Sequence, residues 1–170
     1  MSMRVRDETP DDAAAIGVLT QAAFANAAHA SGTEAAIVQA LRSRGQLSIS
    51  LVAEVDRQLL GHVAVSPVAL SDGSAGWYGL GPISVMPAQQ GKGIGSALMQ
   101  AAIARLEQLQ AAGCVVLGDP GYYQRFGFRN FPQLRLPGVP AEYFMALPLA
   151  GDVPQADVRY DTAFEVSTAP

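Results

Sequence analysis

The chain has 170 residues, of which 49% are hydrophobic and 15% charged, a composition that is typical of one globular domain and excludes a disordered chain. Its net charge of −4 and its single lysine, Lys92, argue against nucleic-acid binding. Cys114 is the only cysteine, so no intramolecular disulfide can form. No apolar run is long enough to span a membrane and none follows Met1, so we expect a soluble, cytoplasmic protein.

The first part of the chain predicts a short strand and two helices. The strand is expected at Met3 to Arg6. Thr9 and Pro10 are typical of the N-cap and the first helical position, so a helix is expected from there to about Phe24 or Ala25. A second helix is expected from Thr33 to near Gly45, with three inward-facing residues: Ile37, Val38 and Leu41.

The middle of the chain predicts three strands. Apolar residues alternate from Ile49 to Val55, Asp56-Arg57 is suited to a hairpin turn, and Leu59 to Val68 forms the return strand. A loop follows at Ser71 to Ser74. The third strand, Trp77 to Val85, is interrupted by two glycines and Pro82. Because proline cannot donate to a sheet ladder, this strand is expected to be irregular or to lie at an opening in the sheet.

A βαβ unit is the clearest prediction in the second half. A helix is expected from Gly93 to Ala112, with Gly113 as its stop and an apolar face that includes Leu109. The apolar run Cys114 to Leu117 is typical of a parallel strand that is buried on both faces. The remaining elements are expected to be a short helix at Asp119 to Arg125, antiparallel strands at Phe128 to Arg135 and Tyr143 to Leu149, and a last strand near Val158 to Tyr160 or a loose tail.

The turn between Val85 and Leu98 indicates an anion site. Three glycines, Gly91, Gly93 and Gly95, lie between a strand and a helix, and Lys92 lies among them. Such a turn directs backbone N–H groups to one point, where the helix dipole also favours negative charge. A phosphate or pyrophosphate fits this site, although glycines that serve only tight packing remain an alternative.

Two common phosphate-binding motifs do not match this turn. A Walker A loop requires Ser or Thr after the lysine, whereas Gly93 follows Lys92. A Rossmann fingerprint requires a third glycine or alanine where this chain has Ser96 or Leu98, and it lies early in its domain.

The spacing Gln90-x-x-Gly93-x-Gly95 resembles the Gln/Arg-x-x-Gly-x-Gly/Ala signature of the GNAT acetyltransferase superfamily. The flanking residues, Val85-x-Pro87 and Gly95-x-Ala97-Leu98, are similar as well. Further along, Tyr-Tyr-x-Arg-Phe-Gly-Phe at 122–128 resembles the late short helix of a bacterial branch of this superfamily. The predicted order of elements also matches, and the resemblance extends over about residues 3–149.

This resemblance implies an α/β fold, classed as α+β in some schemes. A single mixed, mostly antiparallel sheet would contain a central parallel strand pair, splayed around the cofactor, with helices on both faces. We expect one acetyltransferase domain over residues 1–170, with its core at about 3–149 and a C-terminal strand or tail at 150–170.

The resemblance also implies a coenzyme A site and no metal. Backbone N–H groups of the glycine turn would bind the pyrophosphate, with Lys92 adding a charge near a phosphate. The pantetheine arm would insert between the splayed strands like an extra strand, and a backbone N–H there would polarise the thioester carbonyl. The residues expected to contact acetyl-CoA are Ile83, Ser84, Val85, Gln90, Gly91, Lys92, Gly93, Ile94, Gly95 and Ser96.

Tyr123 aligns with the family tyrosine that protonates the leaving thiolate, because it lies four residues before Gly127. A phenol, with a pKa of about 10, is a reasonable donor to an alkyl thiolate. From the residues alone, Tyr122 and Tyr123 could both be packing aromatics. The resemblance favours catalysis for Tyr123 and packing for Tyr122.

The base that deprotonates the acceptor amine is open. The strand Trp77 to Val85 contains no Asp or Glu, which departs from family members with a glutamate there. The candidates are His29, Glu34 and His62. Glu34 begins the helix that usually borders the acceptor pocket, although an acid there also complements the helix dipole. His62 is typical of a hydrogen-bonded sheet residue, and Asp119 of a helix cap.

The favoured function is transfer of an acetyl group from acetyl-CoA to a primary amine by direct attack in a ternary complex. The acceptor is an unidentified small molecule, peptide or protein, and the protein would be a monomer or homodimer. Cys114 lies in an apolar strand, which raises a thiol pKa and argues against a route through an acyl-cysteine. The alternatives are a non-catalytic module that binds CoA or acyl-CoA, and a nucleotide-binding protein that prefers ATP or NAD.

Overall fold

The computed structural model describes residues 2–25 and 32–165. Its strands, in chain order, are β1 (Arg4–Asp7), β2 (Ile49–Val55), β3 (Gln58–Pro67), β4 (Ala69–Leu70), β5 (Trp77–Val85), β6 (Gly113–Leu117), β7 (Leu134–Arg135), β8 (Phe144–Pro148) and β9 (Ala156–Arg159). Its α-helices are α1 (Ala13–Phe24), α2 (Glu34–Ser43), α3 (Ile94–Gln108) and α4 (Pro120–Tyr123).

A six-stranded sheet in the order β1-β2-β3-β5-β6-β8 forms the centre of the fold. Neighbouring strands are antiparallel except for the central pair β5 and β6, which is parallel. A smaller sheet has the order β4-β9-β7. The expected mixed, mostly antiparallel sheet with one central parallel pair is therefore confirmed.

The helices cover both faces of the large sheet. Val63 and Val65 on β3 pack in the same core cluster as the apolar residues of α3, whereas Ala64 between them packs with Ile16 of α1 and Val38 of α2. Because successive side chains of a strand point to opposite faces, α3 lies on one face, and α1 and α2 lie on the other.

The predicted hairpin between β2 and β3 is confirmed. Asp56 and Arg57 form its turn and have φ angles of 51° and 66°. Positive φ at both central residues is characteristic of a type I′ turn, whose twist matches that of the flanking strands.

Strands β5 and β6 diverge, as the interrupted sequence of β5 predicted. The parallel pairing joins Trp77 to Gly113, Tyr78 to Cys114 and Gly79 to Val115, and β5 then continues to Val85 without a partner on that side. The register between β3 and β5 also shifts, between Val63 and Val65. The two strands therefore enclose a wedge-shaped opening whose apex lies at Gly79.

The predicted end of the long helix was wrong. Helix α3 ends at Gln108, and Gln110 takes a left-handed conformation with a φ of 58°. The backbone N–H groups of Ala112 and Gly113 instead donate to the carbonyl of Gly76, at 2.8 Å and 3.4 Å. They therefore do not form helical hydrogen bonds. Leu109 lies beyond the helix and is 52% exposed, so it is not part of the buried face.

The predicted strand at Phe128 to Arg135 was also wrong. This segment makes an isolated bridge from Arg129 to Ala146 and then forms the two-residue strand β7, which pairs with β9 in the small sheet. Pro132 lacks an N–H donor, which disfavours a continuous ladder here. The predicted strands near 143–149 and 158–160 are confirmed as β8 and β9, with slightly different bounds.

The C-terminal end of the described chain packs on α2. A 3-10 turn at Thr162–Glu165 brings Ala163 into a cluster with Ile37 and Leu41. An ion pair of 2.8 Å between Arg44, which follows α2, and Asp161 also joins this C-terminal segment to the end of α2.

The described ranges, 2–25 and 32–165, contain no helix that is both long enough and apolar enough to cross a membrane. Within the same ranges, no three His, Cys, Asp or Glu side chains are grouped so that they could hold a metal ion.

Candidate functional site

The glycine turn has the backbone geometry that the sequence predicted. Gly91 and Gly93 have φ angles of 79° and 86°, in the left-handed region that favours glycine. Gly93 is the N-cap of α3, and the first helical bond runs from the N–H of Ala97 to the carbonyl of Gly93, at 3.1 Å. The N–H groups of Ile94, Gly95 and Ser96 therefore have no helical acceptors and are available to an anion.

A cavity of about 460 Å³ lies against this turn. The glycine turn forms one side, and Tyr122 and Arg125 from the segment after β6 form the other. The lining residues are Ile83, Val85, Gln89, Gln90, Gly91, Gly93, Ile94, Gly95, Ser96, Tyr122 and Arg125.

Arg125 is the cationic side chain that lines this cavity. Its guanidinium donates to Oγ of Ser96 at 2.8 Å and lies 4.9 Å from the centre of the Tyr122 ring. The sequence places Arg125 in a motif but indicates no role for it, because nothing local shows that it faces a turn so distant in the chain.

Two of the residues predicted to contact coenzyme do not line the cavity with their side chains. Lys92 is exposed, and its ammonium group lies 3.4 Å from Oε1 of Gln89 at the rim of the turn. Ser84 is buried, and its hydroxyl has no hydrogen-bond partner among the described residues. Gln90 lines the cavity and also donates from Nε2 to the carbonyl of Val85, at 3.2 Å, which ties the turn to β5.

A second cavity, of about 1,040 Å³, fills the wedge between β5 and β6; we call it the cleft. It adjoins the turn cavity, because Ile83, Gln90 and Tyr122 line both, so the two form one groove. The cleft is lined by Phe24, Glu34, Ile37, Leu80, Gly81, Pro82, Ile83, Gln90, Leu117, Gly118, Asp119, Tyr122, Tyr123, Leu136, Tyr160 and Phe164.

Tyr123 lies in the wall of this cleft. Its ring packs so closely on Gly118 that a Cβ atom there would lie 2.7 Å from Cε2. Burial raises the pKa of Tyr123 to about 12, with the neighbouring Tyr122, Asp119 and Cys114 contributing in the same direction. The phenol is therefore protonated at neutral pH and can act as a proton donor.

Tyr122 is at the junction of the two cavities, a position that the sequence did not indicate. A Cβ atom on Gly95 would lie 2.7 Å from its hydroxyl oxygen, so glycine at position 95 allows the close approach of Tyr122. Its ring also packs edge-on against Tyr123, at a centroid distance of 5.1 Å. Tyr122 thus contributes to packing and to the lining of the groove.

The three base candidates differ in their relation to the cleft. Glu34, in the first turn of α2, lines it. His62 does not, and His29 lies outside the described residues. Asp119 also lines the cleft, and its carboxylate accepts from the N–H of Gly121 at 3.1 Å, which confirms the expected helix cap.

His62 belongs to a buried polar cluster on the α1–α2 face. Its Nε2 lies 2.8 Å from Oγ of Ser50, and that hydroxyl also donates to Glu8. Glu8 in turn pairs with Arg42 at 2.8 Å. Burial lowers the pKa of His62 to about 4, so its imidazole is neutral, and its role is that of the hydrogen-bonded sheet residue that the sequence favoured.

Cys114 is fully buried, and burial raises its thiol pKa. A thiolate is the reactive form, so this position disfavours nucleophilic use of the cysteine, as expected from its apolar strand.

Comparison with known proteins identifies the family. A model of the acetyltransferase (GNAT) domain matches residues 46–130. The uncharacterized N-acetyltransferase YhbS of Escherichia coli K12 is 37% identical over 127 residues, which cover 74% of this chain and 73% of YhbS. This chain therefore belongs to the GNAT acetyltransferase family.

Two solved structures are similar over nearly the whole chain. One is a GNAT family acetyltransferase from Brucella melitensis in complex with acetyl-CoA, at 48% identity and a TM-score of 0.86, covering 96% of this chain and 98% of that one. The other is YhbS from Escherichia coli in complex with CoA, at 33% identity and a TM-score of 0.87, covering 96% and 92%.

Proposed function

We propose that this protein is an N-acetyltransferase that moves the acetyl group of acetyl-CoA to a primary amine by direct attack in a ternary complex. The observation that carries the proposal is the single groove that runs from the glycine turn to the wedge beside Tyr123. The complexes of two similar proteins with acetyl-CoA and CoA support it. We further assign the chain to the bacterial branch marked by Tyr-Tyr-x-Arg-Phe-Gly-Phe.

The coenzyme would use the two cavities in sequence. The pyrophosphate binds the N–H groups of the turn between Gln90 and Ser96, including those of Ile94 and Gly95, with Gly91 and Gly93 shaping the turn and Lys92 near its rim. The pantetheine arm lies in the wedge and hydrogen-bonds the backbone around Ser84, at Ile83 and Val85. Beyond Gly79 no residue of β5 pairs with β6, so this side of the strand is open to the arm.

The transfer itself breaks a C–S bond and forms a C–N bond. The amine nitrogen attacks the thioester carbonyl carbon while a backbone N–H of β5 stabilises the developing charge on oxygen. As the C–S bond breaks, the sulfur takes a proton from the hydroxyl of Tyr123, which then recovers one from solvent. The proton of the acceptor amine passes to Glu34, which lines the cleft and is the first residue of α2.

The first test is ligand-dependent melting with acetyl-CoA, CoA, NAD and ATP. A ligand at one hundred times its Kd adds about 2.7 kcal/mol to the free energy of unfolding, which for a domain of this size raises Tm by roughly 5–10 °C. We expect this shift with acetyl-CoA and CoA. A shift with NAD or ATP in their place would contradict the coenzyme assignment.

The second test separates a transferase from a module that only binds CoA. Acetyl-CoA is incubated with a panel of polyamines, amino acids, aminoglycosides and peptides, and release of free CoA thiol is measured. We expect turnover with at least one amine class. Binding of acetyl-CoA without turnover across such a panel would favour the non-catalytic module, for which the absence of an acid on β5 is the motivation.

A further inference from the structure

Tyr160 covers the apex of the wedge. It follows strand β9, and its ring lies directly on Gly79, where an added Cβ atom would be 2.8 Å from Cε2 and 3.4 Å from Cδ2 of the tyrosine. Gly79 is the last residue of β5 that pairs with β6. The ring therefore closes the opening at the point where the two strands begin to part.

Tyr160 also separates the cleft from another cavity. This third cavity, of about 570 Å³, lies between the small sheet and the C-terminal turn. It shares with the cleft the side chains of Leu136, Tyr160 and Phe164. The rings of Tyr160 and Phe164 pack edge to face at 4.9 Å, so these side chains form a partition between the two spaces.

The hydroxyl of Tyr160 is buried and has no hydrogen-bond partner among the described residues. A buried hydroxyl without a partner is costly, so a tyrosine is a poor choice for a purely apolar partition. Burial raises its pKa, with further contributions from Cys114 and Tyr123, which indicates that the three groups share one neighbourhood.

In the proposed function, the pantetheine arm enters along Val85 and Ile83 and points toward Gly79. The acyl group is the last part of the coenzyme, so it lies nearest the apex. We propose that Tyr160 is the end wall of the acyl site and restricts the coenzyme to short acyl groups, with the acetyl group as the best fit. This inference rests on the proposed function.

The ring, rather than the hydroxyl, sets the length limit. An acetyl group ends in one methyl, whereas a butyryl group adds two methylenes that would run into the Tyr160 ring. Removing the ring would join the cleft to the third cavity, which has ample volume for those methylenes. Removing only the hydroxyl would leave the wall in place.

The test compares the binding of CoA, acetyl-CoA, propionyl-CoA and butyryl-CoA by calorimetry and needs no knowledge of the acceptor. For the wild type we expect butyryl-CoA to bind at least about tenfold more weakly than acetyl-CoA. In Tyr160→Ala this ratio is expected to fall to about twofold or less. Tyr160→Phe should keep the wild-type ratio, as should the control Tyr143→Ala, which alters an exposed tyrosine outside both cavities.

The outcomes distinguish this inference from the proposed function. Equal affinity of the wild type for acetyl-CoA and butyryl-CoA overturns the inference, and this result does not depend on whether Tyr160→Ala folds. A folded Tyr160→Ala that binds CoA normally and keeps the wild-type ratio overturns it as well. A wild type that binds neither CoA nor any thioester overturns the proposed function itself.

Discussion

The two ends of the groove are built in different ways. The turn cavity is formed mainly by one continuous segment, residues 83–96, and presents backbone N–H groups. The cleft is formed by side chains from α1, α2, β5, the segment after β6 and the C-terminal turn. A site made of consecutive backbone depends on local sequence, whereas a site made of distant side chains depends on the whole fold.

This contrast also assigns different chemistry to each end. In the proposed function the turn would bind the pyrophosphate through a fixed array of donors, so its requirements are backbone conformation and positive potential. The cleft holds the half-buried, protonated phenol of Tyr123 and two carboxyl groups, those of Glu34 and Asp119, so in the proposed function its requirements concern proton transfer. Substitutions at the turn should therefore change coenzyme affinity, and substitution of the proton-transfer groups in the cleft should change turnover.

The largest effect is expected for Gly93→Asp. The φ of Gly93 is 86°, which strains any L side chain, and a carboxylate would lie where we propose that the pyrophosphate binds. The strain lowers stability but is the same in the free and bound protein, so the loss of affinity comes from the carboxylate alone. Its charge and volume should cost about 3 kcal/mol of binding free energy, so CoA should bind about a hundredfold more weakly by calorimetry.

Gly45→Asp is the matched control for that variant. Gly45 has a φ of 71° and, like Gly93, has no atom within 4 Å of an added Cβ, but it follows α2 and does not line the groove. It should retain wild-type affinity. Tight CoA binding by Gly93→Asp would remove the pyrophosphate from this turn.

The next effect is expected in kcat. Tyr123→Phe removes the proposed donor to the leaving thiolate, so kcat with an accepted amine should fall about tenfold or more, while the Kd of CoA should change by less than about twofold. Tyr122→Phe makes the same chemical change one residue away and should leave kcat within about threefold. Equal loss in both variants would argue against a specific role for Tyr123.

A smaller effect is expected for Arg125→Gln. The guanidinium lines the turn cavity and contacts Ser96, so its loss should weaken CoA binding by about threefold to tenfold without changing kcat. The salt dependence of the Kd should also become shallower. Arg129→Gln, at an exposed arginine outside the groove, serves as the control and should behave like the wild type.

The last prediction is that kcat does not fall as the pH is raised through the ordinary pKa of a phenol. The pKa of Tyr123 is raised to about 12, so the phenol keeps its proton below that value. At saturating acetyl-CoA and amine, kcat should therefore show no descending limb up to about pH 10.5, after subtraction of uncatalysed thioester hydrolysis. A limb with an apparent pKa near 10 would indicate an unperturbed phenol as the donor.

Local patterns predicted most of the fold. The hairpin at Asp56-Arg57, the βαβ unit and the parting of β5 from β6 all depend on residues that are close in sequence. The end of α3 was missed because the bonds from Ala112 and Gly113 to Gly76 are tertiary. The segment at 128–135 was missed because its apolar residues serve two different clusters rather than one strand face.

The site followed the same rule. The glycine turn and the position of Tyr123 carry sequence signatures, and the structure places both on the groove. Arg125 and Tyr160 had no local signal, since each acts on a turn or strand that is far away in the chain. The acceptor remains unassigned for the same reason, because the cleft is assembled from segments whose contacts only the fold defines.

The attachment of the C-terminal turn to α2 has a consequence for how such an enzyme can diversify. Tyr160 and Phe164 reach the wedge from a segment that is anchored on α2 through Ala163 and the Arg44–Asp161 pair, and neither residue lines the turn cavity. Replacement of the last part of the chain would therefore reshape the wall of the cleft and leave the residues of the glycine turn as they are. For protein engineering, the C-terminal segment is thus a part of the groove that can be exchanged separately from the turn.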